Sequence, residues 1–274
     1  MRFSKVRLSY GPADSFTFPV DDGTFTAPYV VRSVDGLEPP GITVAIGTSL
    51  YEGGNYQGRR SLNRELTILL GLQPNFGIGQ TPGDLRDALY ALLTPKYGLP
   101  LTFALLDDAS TVLVTVQGQI KTFEAPLFAK DSMVQIVMPC VGPYLEKPLY
   151  THPSPGSLLK NPLTITNTGN APTGFDITFT MTAAMSSFSF TNGVSSERML
   201  LTYPFTIGDE VRINTRAGER TLTVKRAGVT TSLLPYFSSD SVYIQLHGGA
   251  NVLTPSSSSY TLNALKFYPR YWGA

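Results

Sequence analysis

The sequence predicts a mainly β protein of two domains, with one helix in the first domain. Short segments with an apolar residue at every second position recur along the chain, and this period of two is typical of half-buried strands. A single segment has helical spacing, and a proline-rich stretch lies near the middle of the chain. We therefore expect a β meander or sandwich domain at 1–145, a linker at 146–160 and a β-sandwich domain at 161–274.

The first domain is predicted to be an antiparallel meander. LTFALL and TVLVTVQ flank DDAS, whose Asp and Ser residues suit a tight turn, so 101–117 is predicted to be a hairpin. Further strands are expected in QIKTFEAPLF at 119–128 and SMVQIVM at 132–138, and such consecutive strands favour a meander. SLNRELTILL at 61–70 is also predicted to be a strand, with one side formed by Leu62, Arg64, Leu66, Ile68 and Leu70.

One helix is predicted in TPGDLRDALYALLTP, residues 81–95. Thr81 is the expected N-cap, Pro82 suits the first helical position and Asp84 completes a capping-box pattern. The helix is expected to end at Thr94-Pro95, because a proline disfavours helical backbone in the residue before it. Five apolar residues at helical spacing share one face of this helix, and that face is expected to pack on a sheet. They are Leu85, Ala88, Leu89, Leu92 and Leu93.

The second domain is predicted from a change in composition after Gly142. GPYLEKPLYTHPSPGSLLKNP at 142–162 contains five prolines, which remove ladder donors and stiffen the chain, so a linker is expected there. Short segments rich in β-branched and aromatic residues follow, separated by the turns NTGN, TNG, IGDE, RAGE and HGGAN. This spacing is typical of a β-sandwich, with strands expected in DITFTM, SFSFTN, RMLLTYPF, EVRINT, RTLTVKR, SVYIQL and YTLNALKFY.

The surface is predicted to be weakly charged. Charged residues make up 15% of the 274 residues, against the roughly 25% typical of soluble domains, so surface is available for burial between subunits. The formal net charge is +1, and the 21 Lys and Arg residues form no cluster. Because nucleic-acid-binding proteins usually have a clustered basic face, we expect no nucleic-acid partner.

The sequence offers few groups for catalysis or for cofactor and metal binding. Cys140 is the only cysteine, which excludes an intrachain disulfide and a cysteine-based zinc site. The two histidines, His152 and His247, lie in the predicted linker and in a turn, without an evident orienting carboxylate. The acidic pairs at 107–108 and 209–210 are typical of turns, although carboxylates from different strands could still converge in a cleft. We predict no catalytic, cofactor or metal site.

The Gly-rich segments GTSLYEGGNYQGRR at 47–60 and LQPNFGIGQ at 72–80 are predicted to be loops. Neither has a phosphate-binding pattern between a strand and a helix, so turns or subunit contacts are the better interpretation. The N-terminal sequence MRFSKVRLSYGPADSF lacks the apolar core of a signal peptide, and no run approaches the ~20 apolar residues that span a bilayer. We expect synthesis in a cytoplasm, no signal-peptide export and no membrane insertion.

Four segments, in this order along the chain, resemble the distal tail protein (Dit) family of long-tailed, non-contractile bacteriophages. VMPCVGPYLEKP at 137–148 is similar to the closing strand of the family's first domain, and ITNTGNAPT at 165–173 to the entry of its second domain. FTIGDEVRIN at 205–214 and LHGGANVLT at 246–254 are similar to later strands and turns of that domain. The motif positions are Cys140, Pro143, Tyr144, Asn167, Gly169, Asn170, Gly208, Asp209, Gly249 and Asn251.

The resemblance implies a structural protein of the virion and not an enzyme. Members of the family form a ring, usually a hexamer, through the first domain, and their second domain is a galectin-like β-sandwich. The ring joins the tail tube to the hub of the tail tip or baseplate and often carries receptor-binding proteins or side fibres. The implied location is the virion tail tip, after synthesis in the host cytoplasm, and no cofactor is implied. A closed ring needs two different patches on each subunit, and strand edges and the Gly-rich loops are candidates.

A carbohydrate-binding adhesin is the alternative function. Sugar sites on β-sandwiches need an exposed aromatic platform with polar neighbours, and Trp272 is the only tryptophan. Core packing can explain most of the other aromatic candidates, which are Tyr203, Phe205, Tyr236, Phe237 and Tyr243. A strong saccharide signal from the second domain on a glycan array would favour the adhesin.

Overall fold

The computed structural model describes residues 3–11, 14–23, 27–48, 54–94, 99–126, 132–152 and 162–274. The chain divides into two compact units. The first comprises Met1–Lys147 together with Trp272–Ala274, and the second comprises Pro148–Tyr271. Residues 153–160 of the predicted linker lie outside the described residues. The fold is mainly β, as predicted.

The first unit contains eleven strands, one α-helix and one short 3₁₀ turn, among its described residues. One sheet has the order β2-β1-β7-β8-β11, a second has the order β3-β6-β10-β9, and β4 and β5 form a separate two-stranded sheet. The strands are β1 Lys5–Ser9, β2 Ser15–Pro19, β3 Tyr29–Asp35, β4 Ile42–Thr48, β5 Gly54–Ser61, β6 Glu65–Leu72, β7 Leu101–Leu106, β8 Val112–Gly118, β9 Thr122–Glu124, β10 Met133–Pro139 and β11 Leu145–Glu146.

The period of two predicted β6 and its buried side. Leu66, Ile68 and Leu70 are fully buried, as the alternation requires. The strand begins at Glu65, so Leu62 and Arg64 precede it, and Leu62 is half exposed. The hairpin predicted at 101–117 is β7–β8, and the side chain of Asp107 accepts a hydrogen bond from the Thr111 amide across its turn.

The predicted helix is α1, Pro82–Leu93, and its capping box is present. The Thr81 hydroxyl accepts from the Asp84 amide, and the Asp84 carboxylate accepts from the Thr81 amide at 2.8 Å. Leu85, Leu89 and Leu93 are buried, whereas Ala88 is exposed, so the apolar face is narrower than predicted. The Tyr29 hydroxyl of β3 donates to the Leu85 carbonyl, which places the helix against the second sheet.

Two expectations for the first unit were wrong in part. The segment 47–60 is not simply a loop, because most of it belongs to β4 and β5; residues 49–53 lie outside the described residues. The strand expected at 119–128 is limited to β9, which has three residues. Its remaining positions 127 and 128 lie outside the described residues.

The second unit is a β-sandwich of two antiparallel sheets. Their orders are β12-β21-β14-β17-β18-β19 and β13-β20-β15-β16. A short 3₁₀ turn, Leu234–Tyr236, follows β19. The strands are β12 Tyr150–Thr151, β13 Leu163–Asn167, β14 Phe175–Met181, β15 Phe188–Asn192, β16 Arg198–Leu201, β17 Glu210–Asn214, β18 Thr221–Arg226, β19 Val229–Ser232, β20 Gly249–Pro255, β21 Tyr260–Phe267 and β22 Arg270–Tyr271.

The core of the sandwich is aromatic and is formed by both sheets. Phe179 of β14 lies with its ring centroid 5.0 Å from Phe188 and 5.7 Å from Phe190, which belong to β15 in the other sheet. Tyr260 of β21 completes this cluster at 5.3 Å from Phe179. Such tilted and edge-to-face pairs add to the stabilisation from burial of the rings.

One predicted strand of the second domain is absent. SVYIQL at 241–246 is extended but forms only an isolated bridge between Leu246 and Thr173. Its other backbone groups have separate partners: the Val242 amide donates to the Arg198 carbonyl, and the Gln245 amide donates to the Glu197 carboxylate. Ile244 and Leu246 are nevertheless buried, which explains the alternating pattern in the sequence.

Candidate interaction surfaces

The described residues show no constellation suited to catalysis or metal binding. No group of three or more His, Cys, Asp or Glu side chains is placed there to hold a metal ion. His152 Nδ1 and His247 Nε2 are buried without a hydrogen-bond partner, and neither imidazole is bonded to a carboxylate in the part of the chain that the structure describes. No helix among the described residues has the length and apolar character needed to cross a membrane.

The first unit exposes an apolar surface on the β4–β5 sheet. Ile42, Val44 and Ile46 occupy alternate positions of β4, so their side chains share one face of the hairpin. They are 50%, 49% and 67% exposed, although such side chains are usually buried. We call these three residues the hairpin face. Within the described residues, β4 and β5 pair only with each other.

A second exposed surface of the first unit, with a lining of both polar and apolar side chains, surrounds an open cleft of about 580 Å³. Phe76 and Ile78 form its rim and are 75% and 76% exposed. The Asn75 side chain accepts from the Gly77 amide, and the Asn75 amide donates to the Gln80 side chain, so local hydrogen bonds hold this rim. We call this feature the end cleft; it is lined by Ala27, Pro28, Gln73, Pro74, Asn75, Phe76, Ile78 and Gln80.

The two surfaces lie at opposite ends of the same strand pair. β3 and β6 are antiparallel, and Tyr29 pairs with Leu72 at the end where the cleft residues precede β3 and follow β6. At the other end Asp35 pairs with Thr67, and the chain between β3 and β6 there forms the β4–β5 hairpin. Because the strands rise about 3.3 Å per residue, the attachment points of the two surfaces are separated by roughly 20 Å.

The motif positions of the first unit surround a buried arginine. Arg64 is 2% exposed, and its guanidinium donates only to backbone carbonyls. These are the carbonyls of Gly36 and of Glu38 (2.8 Å), of Pro143 (3.1 Å) and of Trp272 (2.6 Å). Burial lowers the pKa of Arg64 from its ordinary value, and the nearby Cys140 and Glu38 oppose that change. We call this arrangement the Arg64 node.

The predicted residues Cys140, Pro143 and Tyr144 have structural positions next to this node. The Cys140 amide donates to the Arg64 carbonyl, and the Tyr144 ring lies 4.8 Å from that of Trp272. Burial raises the pKa of the Cys140 thiol to about 11, so it is not a reactive thiolate at neutral pH. The period of two in the sequence places Arg64 on the buried side of a strand, but it does not predict the backbone carbonyls that its guanidinium binds. The signal that could have indicated such a role is a charged residue at a buried position.

Five motif positions of the second unit meet at two turns that pack against each other. The Asn167 side chain accepts from the Gly169 amide at 2.9 Å and donates to the Leu246 carbonyl at 3.1 Å. The Asn251 side chain accepts from the His247 amide at 2.9 Å and donates to the Gly249 carbonyl at 3.0 Å. Asn170 is exposed in the first turn, as is Thr168.

Gly169 is required there by close backbone approach. A Cβ at this position would lie 2.2 Å from the Arg270 carbonyl oxygen, and no side chain tolerates that distance. A Cβ at the neighbouring Gly248 would lie 2.8 Å from the Gly169 carbonyl oxygen. These motif positions therefore hold turns together, with no reactive group among them.

Gly208 and Asp209 form a separate turn before β17. Gly208 has a φ of 86°, and Asp209 is 1% exposed. The Asp209 carboxylate accepts from the Thr206 amide at 2.8 Å and from the Arg226 guanidinium at 2.8 and 2.7 Å. The hydrogen bonds from Arg226, followed by those from Thr206, hold the pKa of Asp209 below its ordinary value.

The aromatic residues considered for sugar binding in the second unit pack mainly against one another. Trp272 belongs to the first unit and Phe205 is buried in the sandwich core. Tyr236 is 40% exposed and packs edge-to-face on Tyr203 at 4.8 Å. Phe237 packs on Tyr243 at 5.0 Å and both are half-buried.

Comparisons with known proteins agree with the resemblance found in the sequence. Residues 168–271 match the family model of the siphovirus-type tail component, C-terminal domain. The sequence comparison with curated proteins found no match. Among solved structures, the Dit protein of phage SPP1, described as a paradigm of the hub adsorption apparatus in phages that infect Gram-positive bacteria, has a TM-score of 0.62 at 17% identity, over 97% of this chain and 98% of that chain.

Two structures of the phage p2 baseplate in its activated conformation also match. The structure with Sr has a TM-score of 0.44 at 10% identity, over 97% of this chain and 98% of that chain. The structure with Ca has a TM-score of 0.45 at 10% identity, over 98% of both chains. Residues 168–271 thus match the model of the family that the sequence resembles, and the whole chain has the fold of a Dit protein.

Proposed function

We propose that this protein is a non-enzymatic component of the tail tip of a long-tailed, non-contractile phage. Copies of the chain form a ring, with six subunits, through the first unit. The ring joins the tail tube to the hub of the tail tip and serves as a platform for receptor-binding proteins or side fibres. The protein is made in the host cytoplasm and is incorporated into the virion.

The exposed hairpin face and end cleft of the first unit are the observation that carries the proposal. A ring with cyclic symmetry needs two different surfaces on each subunit, because each subunit contacts the next one through one patch and the previous one through another. The apolar hairpin face and the end cleft, which lie at separate places of one folded unit, support a ring with two such contacts. Large exposed apolar patches mark interaction sites in proteins that are otherwise stably folded.

Electron microscopy of the purified full chain in negative stain, together with native mass spectrometry, tests the proposal. We expect closed rings with a central hole and a dominant mass of about six subunits. Tail tube protein added to the ring should form a stacked complex of larger mass. A chain that stays monomeric at high concentration, with and without tail tube protein, would contradict the ring.

The adhesin alternative is tested in the same preparation. The candidate aromatic residues of the second unit pack against one another, and Tyr236 alone among them is exposed, so we expect no saccharide signal from it on a glycan array. A strong and specific signal from the monomeric chain would overturn the structural proposal in favour of the adhesin.

A further inference from the structure

We propose that the free edge of β19 binds an extended segment of another tail protein, which adds a further strand to the six-stranded sheet of the second unit. This contact rests on the proposed platform role for its choice of partner, and it names the surface and the form of the bound segment. The segment lies along β19 as a strand and has apolar side chains at every second position.

The outer edge of β19 carries backbone groups without a partner. Among the described residues, β19 is bordered by β18 on one side and by no strand on the other. The Leu233 amide donates to the Leu222 carbonyl, and residues along an antiparallel pair alternate between exchanging such bonds and directing their backbone groups outward. This alternation directs the backbone N–H and C=O groups of Thr230 and Ser232 away from β18, where a further strand could pair with them.

This edge also lacks the features that usually protect an edge strand, which are charged side chains, proline or a cover. The sequence of β19 is VTTS, and all four residues are exposed. The edge strand β16 of the other sheet is different, because the amides of Ser238 and Val242 donate to its carbonyls. The second unit thus covers the edge of β16 with its own chain and leaves that of β19 open within the described residues.

An exposed apolar cluster lies next to the open edge. Val229 of β19 is 67% exposed, and Leu234 and Tyr236 of the following 3₁₀ turn are 59% and 40% exposed. Val229 pairs with Arg226, whose guanidinium lies 5.4 Å from the centre of the Tyr203 ring. Tyr236 packs on the same ring at 4.8 Å, so these contacts bring the turn and the edge together. We call Val229, Leu234 and Tyr236 the edge cluster.

The open edge and the edge cluster together specify the occupant. Outward N–H and C=O groups at every second residue match the backbone spacing of another strand, and the edge cluster matches apolar side chains on one face of that strand. The β19 strand of a second copy fits less well, because Val229 is its only apolar residue. A segment of a different protein can supply both the backbone groups and the apolar side chains.

A peptide array probed with the full chain tests the contact. The probes are short overlapping peptides that cover the other tail proteins of the same phage. Thr230→Pro removes an outward N–H that β18 does not use, and proline is tolerated in edge strands where the N–H faces solvent. Thr230→Ala retains this N–H and is the matched control.

We expect the unmodified chain and Thr230→Ala to bind the same peptides, and Thr230→Pro to bind them roughly tenfold more weakly or not at all. Hydrogen exchange of the unmodified chain should slow at the Thr230 and Ser232 amides when such a peptide is added, since both then gain a partner. The absence of any bound peptide, or equal binding by all three chains, would overturn the contact. Circular dichroism checks that Thr230→Pro is folded.

A substitution in the edge cluster gives a second test that leaves the backbone of β19 unchanged. Leu234→Asp should weaken peptide binding by roughly tenfold, because it places a charge in an apolar contact. Val194→Asp is the control, since Val194 is 55% exposed on a different turn of the same unit. Equal peptide binding by both variants would contradict the assigned cluster.

Two further measurements separate the remaining outcomes. Thr230→Cys should stay unlinked on oxidation, because the native Cys140 is buried and the edge is assigned to another protein; disulfide-linked dimers would assign the edge to a second copy instead. Electron microscopy should show rings of Thr230→Pro like those of the unmodified chain, since β19 belongs to the second unit. Rings without peptide binding would overturn only this contact, and peptide binding without rings would contradict only the proposed ring.

Discussion

The two units use their apolar residues differently. The second unit buries most of its phenylalanines in one cluster between two sheets, and its exposed apolar residues include Leu234 and Tyr236 on one 3₁₀ turn and Val229 on the edge strand β19. The first unit buries the cores of its sheets but leaves the hairpin face and the end cleft open at the two ends of one strand pair. The aromatic core of the second unit is thus covered by its own two sheets, whereas the first unit presents two candidate surfaces for contact with other chains.

The two units also differ in which parts of the chain their buried polar side chains connect. In the second unit Asn167, Asn192 and Asn251 link neighbouring turns through hydrogen bonds within the sandwich. In the first unit the Arg64 node joins three segments that are distant in sequence, including Trp272 near the end of the chain. The chain leaves the first unit after Lys147 and returns to it at Trp272. The Arg64 node therefore lies close, along the chain, to both of these points.

The largest expected effect is on the aromatic core of the second unit. Phe179→Ala should destabilise that unit by roughly 3–5 kcal/mol, because it removes a ring in contact with three other rings and leaves a cavity. Differential scanning calorimetry should show an earlier transition for the second unit and no change for the first. A shift of both transitions by the same amount would show that the two units do not unfold independently.

Arg64→Ala should destabilise the first unit by about 3 kcal/mol. The substitution removes the guanidinium donor from four partly buried carbonyl groups, and each group left without a partner is unfavourable. Chemical denaturation followed through Trp272 fluorescence measures the change, since Trp272 is the only tryptophan and belongs to the first unit. Arg64→Lys is the matched control and should lose less, as an ammonium retains three donors. Equal losses in both variants would contradict the role of the node.

Asp209→Asn should destabilise the second unit by about 2 kcal/mol at neutral pH, because it removes a charge that accepts hydrogen bonds from Arg226 and Thr206. The pKa of Asp209 is lower in the folded chain than its ordinary value of 3.8. Its contribution is therefore fully present above that value and is lost as the pH falls through the folded pKa.

The measurement for this prediction is the midpoint of urea unfolding between pH 7 and pH 2. The unmodified chain should lose stability more steeply than Asp209→Asn below pH 4, so that the two curves converge in acid. Asp176→Asn is a suitable control, since Asp176 pairs with Arg212 on a more exposed part of the sandwich. Parallel curves for the unmodified chain and Asp209→Asn would contradict the assigned ion pair.

The smallest expected effect is on the helix of the first unit. Thr81→Ala removes the N-cap hydroxyl of α1 and should cost about 1 kcal/mol. Thr81→Ser retains a hydroxyl at the cap and should remain close to the unmodified chain in stability. The thermal midpoint of the first unit measures both variants, and an unchanged midpoint in Thr81→Ala would show that tertiary packing alone maintains the helix.

Local patterns in the sequence determined much of the fold. The period of two in residues 66–70 predicted the buried side of β6, and the Thr81, Pro82 and Asp84 signals predicted the start of α1. These features depend only on residues that are close together in the chain, so they can be predicted from a single sequence. The order of the motifs also predicted the family whose model matches residues 168–271.

Contacts between distant residues were decided only by the tertiary structure. The segment 241–246 alternates like a strand, yet its amides bond to separate partners and form no ladder. Arg64 has the position of a core residue in the pattern, and only the fold brings the carbonyls of Gly36, Pro143 and Trp272 to its guanidinium. Likewise, Ile42, Val44 and Ile46 stand at alternate positions in the sequence, as apolar residues do in an ordinary half-buried strand. Their exposure follows because, among the described residues, β4 and β5 pair only with each other and no other sheet covers them, which local periodicity does not encode.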